Sequence, residues 1–223
     1  MSRRVSSRRV SARREEKETE TWTPRTKLGK MIQEGHISSM EEIFSEGMKI
    51  REPEIVNALL PDLQEEVINI NLVQKQTDAG EKSRFKAIVV VGNRDGYVGL
   101  GLGKASQVRN AIEKAATDAR LKIVLVRRGC GSWECGCGKP HSLPFQVSGK
   151  CGGVEIVLTP GPRGLGIVAS ETAKIILDLA GVKDVWTRSF GATRTILSFA
   201  SAVFDALQKT YNLVTPKDWV KQG

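Results

Sequence analysis

The fold is decided by residues 85–105, which read FKAIVVVGNRDGYVGLGLGKA. An apolar run of strand length, a polar four-residue segment and an alternating run follow one another in this stretch. That order predicts two antiparallel strands joined by a hairpin turn, in which Asp95 and Gly96 supply the positive-φ positions.

The second of these strands has one face without side chains, because glycine alternates there with valine and leucine. Its glycines are Gly99, Gly101 and Gly103. Repeated glycine in a strand indicates close approach of another backbone, and tight packing of a helix is the simplest reason for it. Lys104 follows directly, and we expect it to begin a helix whose free N–H groups could bind phosphate.

The flanking segments predict a sheet with a helix across one face. EEVININ alternates and is typical of a strand, and the following QTDAGEKSR is expected to be a loop. SQVRNAIEKAATDARLKI has apolar residues at helical spacing with charges on the other side. Three strands followed by a helix indicate an antiparallel sheet covered on one face.

The second half of the chain predicts a separate α+β unit. A further strand at KIVLVR precedes the Cys-rich run, and the second unit follows it, with strands expected at SLPFQV, VEIVLTP and DVWTRSFG and helices at ETAKIILDLAG and TRTILSFASAVFDALQKTY. Gly181 is a natural end for the first of these helices. Thr215 and Pro216 predict the start of a last helix. Two short helices, in SMEEIFSEG and PEIVNALLPD, precede the first strand.

The charge of the chain favours a polyanionic partner. Lys and Arg number 34 against 25 Asp and Glu in 223 residues, for a net charge of +9. Such a surplus is typical of nucleic-acid binding, although it also keeps a surface well solvated. Residues 1–20 include clustered arginines and no apolar core, so we expect a basic disordered tail that can neutralise phosphates. An organellar transit peptide is the alternative for this tail.

Membrane and secretory classes find no support in the sequence. No apolar run approaches the roughly 20 residues that span a bilayer, and no secretory signal is recognisable.

Two glycine-rich segments resemble nucleotide-binding turns, but neither completes its motif. The segment ending in Gly103 and Lys104 lacks the first P-loop glycine and has Ala105 where a hydroxyl would bind magnesium. Residues 164–169, GLGIVA, fit a dinucleotide turn, but Asp184 precedes the next strand and does not end it. Arg163 and Arg188 beside glycines fit RNA phosphate better than ribose hydroxyls. With no other catalytic constellation, the sequence predicts no enzyme.

Residues 129–141, GCGSWECGCGKPH, hold three of the four cysteines and one of the two histidines. Tetrahedral zinc needs four such ligands brought together by short loops. The candidates are Cys130, Cys135, Cys137 and His141, with Cys151 as a substitute. Four protein ligands would leave no open position, so the zinc would be structural. A reduced loop without metal, packed on RNA, is the alternative.

Longer segments resemble a known family. Residues 70–108, INLVQKQTDAGEKSRFKAIVVVGNRDGYVGLGLGKASQV, are similar to the N-terminal domain of the small-subunit ribosomal protein five family. Residues 161–195, GPRGLGIVASETAKIILDLAGVKDVWTRSFGATRT, resemble its C-terminal domain. Three flanking segments resemble the archaeal and eukaryotic branch of the family, namely TWTPRTKLGK, GKPHSLPFQVSGKCG and KTYNLVTPKDW. The segment GLGLGKA resembles the archaeal members. The resemblance runs from about Trp22 to Trp219.

The resemblance implies an α+β fold in two domains. The first is similar to double-stranded-RNA-binding domains, and the second is an α+β sandwich of the protein five type. We therefore expect six segments, which are a basic tail (1–21), a helical extension (22–65), the first domain (66–128), a Cys-rich insert (129–142), the second domain (143–212) and a C-terminal tail (213–223).

The resemblance also implies a function. The protein would be a structural constituent of the small ribosomal subunit, in the cytoplasm, and not a homo-oligomer. It would bind ribosomal RNA near the head–body junction and the decoding region, and contact small-subunit proteins four and eight. With proteins three and four it would line the messenger RNA entry channel and influence fidelity. A free double-stranded-RNA-binding regulator is the alternative.

Several residues match the RNA-facing segments of the family. An exposed loop, here Thr77 to Arg84, reaches RNA, and a loop in the second domain approaches it. Protein four is expected near the GPRGLG turn. The predicted RNA-binding residues are Lys75, Lys82, Arg84, Lys86, Arg94, Gly99, Gly101, Gly103, Lys104, Arg163, Arg188, Ser189 and Gly191.

Overall fold

Two four-stranded sheets form the frame of residues 22–212, the part of the chain that the computed structural model describes. The Arg-rich tail and the helix expected at Thr215 lie outside these residues. Three short helices precede the first sheet, namely α1 (Lys27–Gln33), α2 (Met40–Ser45) and α3 (Pro53–Leu59).

The first sheet is antiparallel, in the order β1-β2-β3-β4, and α4 covers one of its faces. Its elements are β1 (Gln64–Thr77), β2 (Gly80–Gly92), β3 (Tyr97–Ala105), α4 (Val108–Leu121) and β4 (Ile123–Leu125). The predicted antiparallel sheet with a helix across it is therefore present.

Most of the expected loop between the first two strands is instead β-ladder. Pairing between β1 and β2 continues to Thr77 and Gly80, so that only residues 78 and 79 connect the strands. The prediction was wrong because charged and polar residues have low strand propensity, whereas continuous pairing across a tight turn overrides that preference.

The hairpin turn between β2 and β3 also differs from expectation. The positive φ angles occur at Arg94 (56°) and Gly96 (99°), and not at Asp95. The side-chain oxygen of Asn93 accepts the backbone N–H groups of Asp95 and Tyr97, at 2.8 and 3.1 Å. An asparagine at the start of the turn therefore sets its conformation.

Lys104 does not begin a helix. It lies in β3 opposite Lys86, and α4 begins only at Val108. The expected phosphate site at a helix N-terminus beside Lys104 is therefore absent from this segment.

The bare face of β3 packs directly against α4. A Cβ atom added to Gly99, Gly101 or Gly103 would overlap a carbonyl oxygen of the helix. These oxygens belong to Ala119, Ala115 and Ala111, which are buried and share one face of α4. The predicted close approach of a second backbone is confirmed, and the approaching backbone is that of the helix.

The second sheet has the order β5-β6-β8-β7, with β7 parallel to β8 and the other pairs antiparallel. Its elements are β5 (Val147–Cys151), β6 (Val154–Pro160), β7 (Ile167–Val168), α5 (Glu171–Leu179), β8 (Val185–Gly191) and α6 (Ile196–Lys209). Of the strand expected at SLPFQV, only the end is extended. Gly181 has a φ of 77° just after α5, as predicted for a helix end.

The two sheets share one hydrophobic core. The face of the first sheet that α4 leaves open contributes Ile88, Val90 and Leu100 to a cluster with residues of the second sheet such as Ile156 and Leu158. A smaller alanine-rich cluster lies under α4. The short N-terminal helices form a third cluster, which includes Ile123 of β4. None of the helices in residues 22–212 is long and apolar enough to cross a membrane.

We predict that Gly101→Ala destabilises the protein by about 3 kcal/mol, because the added methyl group must separate α4 from β3. Chemical denaturation of the purified chain measures the change. Gly153→Ala is the matched control, since a Cβ at this residue meets nothing within 4 Å. Equal stability of the two variants would contradict the packing of α4 on β3.

Candidate RNA-binding surface and metal centre

Five basic residues share one face of the outer part of the first sheet. We call this set the basic face, and it consists of Lys75, Lys82, Arg84, Lys86 and Lys104. Side chains alternate between the faces of a strand, so the three residues of β2 lie on the same side. Lys75 pairs with Lys82 and Lys104 pairs with Lys86, which places them on that side too.

The basic face continues the apolar surface that packs on the second sheet. Ile88 and Val90 follow Lys86 on the same side of β2 and are buried in the shared core. Four of the five basic side chains are exposed and Lys86 is half-buried. Within residues 22–212, no carboxylate lies within 4.0 Å of any of the five. The face is thus a concentrated positive charge without a partner in the described chain.

The glycines of β3 are not on the basic face. Gly99, Gly101 and Gly103 are buried and turned toward α4, so their bare surface is closed to RNA. Their assignment as RNA-binding residues is corrected on this ground, since the helix fills the space that RNA would need.

Arg94 is engaged within the protein. Its guanidinium pairs with Asp178 at 3.1 Å, and its backbone N–H donates to the carbonyl of Leu179 at 2.9 Å. Arg128 pairs with Asp95 in the same turn. The turn between β2 and β3 thus contacts the end of α5, and Arg94 holds the two halves of the chain together.

The other predicted RNA-binding residues belong to the second sheet. Arg163 is exposed in the turn after β6. Arg188, Ser189 and Gly191 lie within β8, the strand predicted at DVWTRSFG, whereas the family resemblance implied a loop. Arg188 alternates with Trp186 and Phe190 on an exposed face, beside a shallow cavity. These residues therefore lie in the second sheet, whereas the basic face lies on the first.

The Cys-rich segment forms a loop that is closed at its ends. Gly129 and Ser142 exchange backbone hydrogen bonds of 2.8 and 2.9 Å, which joins the first residue of the expected insert to its last. Inside the loop, Cys130, Cys135 and Cys137 come together with His141, and their ligand atoms all lie within 4.8 Å of one another. We call these four residues the Cys3His cluster.

The distance between Cys135 and His141 matches that of two ligands of a tetrahedral metal. Zinc separates its sulfur and nitrogen ligands by about 3.5–3.8 Å, given the usual bond lengths. The sulfur of Cys135 lies 3.8 Å from Nε2 of His141. Cys151 is at the end of β5, where it packs on the shared core, and does not belong to the cluster. His141, and not Cys151, is therefore the fourth candidate ligand.

The environment of the thiols differs from one cysteine to another. Backbone N–H groups of Arg163 and Cys137 lower the pKa of Cys135 to about 6. Burial raises the pKa of Cys130, with contacts to Cys137 and Cys135 adding to the effect. The lowered pKa of Cys135 favours its thiolate, the form that binds metal.

Asp184 holds His141 in the orientation of a metal ligand. Both side chains are buried, and Nδ1 of His141 lies 2.8 Å from Oδ2 of Asp184. A carboxylate accepts at this distance, so Nδ1 carries the proton and Nε2 presents its lone pair toward Cys135. The sequence gave no sign of this contact, because the residues are far apart in the chain and Asp184 stood out only as a poor match to a dinucleotide motif.

Asp184 also explains the glycine-rich turn after β6. Its Oδ1 accepts the N–H groups of Gly164 and Gly166, at 3.1 and 2.9 Å. A dinucleotide turn offers such N–H groups to phosphate. Here the protein's own carboxylate occupies them, which agrees with the rejection of a nucleotide site.

Two family models match this chain. Residues 63–127 match the model of the ribosomal protein S5 N-terminal domain, and residues 149–218 that of its C-terminal domain. Both sheets are thereby those of a ribosomal protein. The chain belongs to the ribosomal protein S5 family, whose members are structural constituents of the small ribosomal subunit. The predicted family and fold class are confirmed.

Relatives resemble almost the whole chain. The small ribosomal subunit protein uS5 of Staphylothermus marinus is 57% identical over 202 residues, 91% of this chain and 94% of the relative. The protein of the same description from Ignicoccus hospitalis is 56% identical over 91% of this chain and 96% of its own length. The protein of that description from Pyrobaculum aerophilum is 60% identical over 85% of this chain and 87% of its own length.

These matches confirm an archaeal-type member. They make the chain a component of the ribosome, in the cytoplasm, and so favour the ribosomal interpretation over a free regulator. The family is one of structural proteins and not of enzymes. The two matched ranges do not include residues 128–148, which contain the Cys3His cluster.

We predict that Ser142→Ala lowers the stability of the protein by about 2 kcal/mol, because it removes a buried hydrogen-bond partner. The Ser142 hydroxyl donates to the Asp184 carbonyl and accepts the N–H of Gly161 at 3.2 Å. Thermal and denaturant unfolding measure the loss. Unchanged stability would contradict the buried contact.

Proposed function

We propose that the basic face binds the phosphate backbone of ribosomal RNA in the small subunit. The observation that carries this proposal is the concentration of five cations on one face of strands β1, β2 and β3, with no carboxylate partner in residues 22–212. Lysines directly opposite each other on neighbouring strands repel and destabilise a sheet. Lys75 with Lys82, and Lys86 with Lys104, form two such pairs. A phosphate backbone relieves both repulsions.

The hairpin suits recognition of RNA by shape. Structured RNA is bound largely through phosphates and 2′-hydroxyls, for which basic side chains on a rigid projection are well placed. The tight turn at residues 78 and 79 keeps both strands paired to their ends. About seven residues of each strand lie beyond the buried core, a reach of roughly 23 Å.

The location within the subunit is part of the same proposal. We infer binding near the head–body junction and the decoding region, with contacts to proteins four and eight. Protein four is assigned to the GPRGLG turn of the second domain, where Arg163 is exposed. With proteins three and four, the protein would line the messenger RNA entry channel and influence fidelity. Family membership supports these inferences.

We predict that the double variant Lys82→Glu, Arg84→Glu weakens binding to small-subunit RNA about 10- to 100-fold, because two phosphate contacts become repulsive. It should also impair subunit assembly or alter misreading. Filter binding at several salt concentrations and sedimentation of assembled subunits measure these effects.

Ser83→Glu is the matched control for this double variant. Ser83 lies between the two basic residues in β2 but points to the other face, where its hydroxyl accepts from Gln74 at 3.3 Å. The control should bind RNA nearly as well as the unchanged protein. Normal assembly together with normal fidelity in the double variant would count against the basic face.

We propose further that the Cys3His cluster binds one structural zinc ion. Four protein ligands fill a tetrahedral coordination shell and leave no position for substrate or water. The support is geometric, since His141 already directs Nε2 toward the sulfur of Cys135 and Asp184 fixes its tautomer. Zinc would close the loop that joins the two sheets.

We predict about one zinc ion per chain, falling below about a tenth in Cys137→Ser, because a three-ligand site retains zinc poorly. Metal analysis of protein purified without chelators provides the measurement. Cys151→Ser is the control and should keep its zinc, since Cys151 lies outside the cluster. Less than a tenth of a zinc ion in the unchanged protein would refute the metal centre.

A further inference from the structure

The Cys3His cluster and the turn at residues 161–166 are connected at two places. The first connection runs through Asp184, whose two carboxylate oxygens contact different partners. One oxygen accepts from Nδ1 of His141, and the other accepts the N–H groups of Gly164 and Gly166. Asp184 is 5% exposed, so water competes little for these bonds.

The second connection is a contact at Cys135. The backbone N–H of Arg163 faces the thiol of Cys135 and contributes to its lowered pKa. The hydrogen bonds between the cluster and the turn run through the Asp184 carboxylate.

The other hydrogen bonds of the turn do not involve the cluster. The N–H of Leu165 donates to the carbonyl of Pro162 at 3.3 Å, and the N–H of Val185 donates to the carbonyl of Gly166 at 3.2 Å. Gly164 and Gly166 have φ angles of 88° and 77°, which glycine adopts without strain and also leaves easily. Of the bonds that hold residues 163–166, those from Asp184 therefore depend most on the geometry of the cluster.

We propose that Asp184 is a positioning residue that couples zinc binding to the conformation of the 161–166 turn. A metal bound to Nε2 keeps His141 in place, and the proton on Nδ1 then holds the Asp184 carboxylate against Gly164 and Gly166. Loss of the metal releases His141 and Cys135 together and lets the turn move. This inference rests on the proposed zinc site.

The coupling has a consequence for the surface of the second domain. Arg163 is exposed at the tip of the turn, next to Gly164, whose N–H is bound by Asp184. Metal occupancy therefore changes the backbone that carries Arg163. Because coupling between two sites is reciprocal, a partner that fixes the turn also slows the loss of zinc.

The test uses the full chain, with zinc alone as the ligand. Amide hydrogen exchange at Gly164 and Gly166, followed by NMR, should accelerate at least about tenfold when a chelator removes the zinc. The exchange rate at Gly101, which is buried under α4, should stay the same when the zinc is removed. If the protein binds zinc but the turn exchanges at the same rate before and after zinc is removed, the coupling is overturned and the metal site is retained.

Variants test the role of Asp184 separately. Asp184→Asn should weaken zinc binding about 10- to 100-fold, as loss of a ligand's hydrogen-bonded carboxylate does at other metal sites. Asp184→Glu should restore part of the affinity. Cys151→Ser, which lies outside the cluster and outside the Asp184 network, should change zinc affinity less than about twofold.

The outcomes separate the two proposals. Unchanged zinc affinity in Asp184→Asn would overturn the coupling alone. Absence of zinc from the unchanged protein would overturn both the coupling and the metal centre. Should Asp184→Asn fail to fold, hydrogen exchange of the unchanged protein with and without zinc still decides the question.

Discussion

Contact between the backbones of β3 and α4 is the constraint on which the other features of this protein depend. Three glycines on alternate positions of the strand meet three alanines on one face of the helix, and a single added methyl group would overlap a helix carbonyl. The contact assigns one face of the first sheet to α4. The other face is left to form the shared core near β4 and, farther along the same strands, to carry the basic residues. Helix packing thereby determines which face carries the exposed basic residues.

Close packing of a strand glycine against a helix also occurs in the second half of the chain. Gly149 of β5 lies under α6, where a Cβ would overlap the carbonyl oxygen of Ala202. The two halves are then held together by their shared core and by the turn at Arg94, which bonds to the end of α5. A protein joined at these places presents its basic face and its exposed second-sheet residues in a constant relation, as a structural component of a ribosomal subunit requires.

Much of this arrangement follows from patterns in the sequence. Alternation of apolar and polar residues or glycine predicted the central strands, and apolar residues at helical spacing predicted the long helices. Repeated glycine in β3 predicted the close approach of another backbone. The errors have local causes. Residues 76–84 were taken for a loop because propensity ignores the pairing that a tight turn permits. Lys104 was placed at a helix start because the end of β3 has no sequence marker. The ion pair between Arg94 and Asp178 was not predicted because the two residues are distant in sequence.

The sequence by itself determined the family, the excess of positive charge and the candidate metal ligands, with Cys151 still open as a substitute, because composition, motifs and short-range spacing are properties of the chain alone. The tertiary structure decided which residues act together. It placed five separated basic residues on one face, excluded Cys151 from the cluster and brought Asp184 to His141. Strand register and contacts between distant segments arise only when the chain packs, and no pattern of neighbouring residues records them.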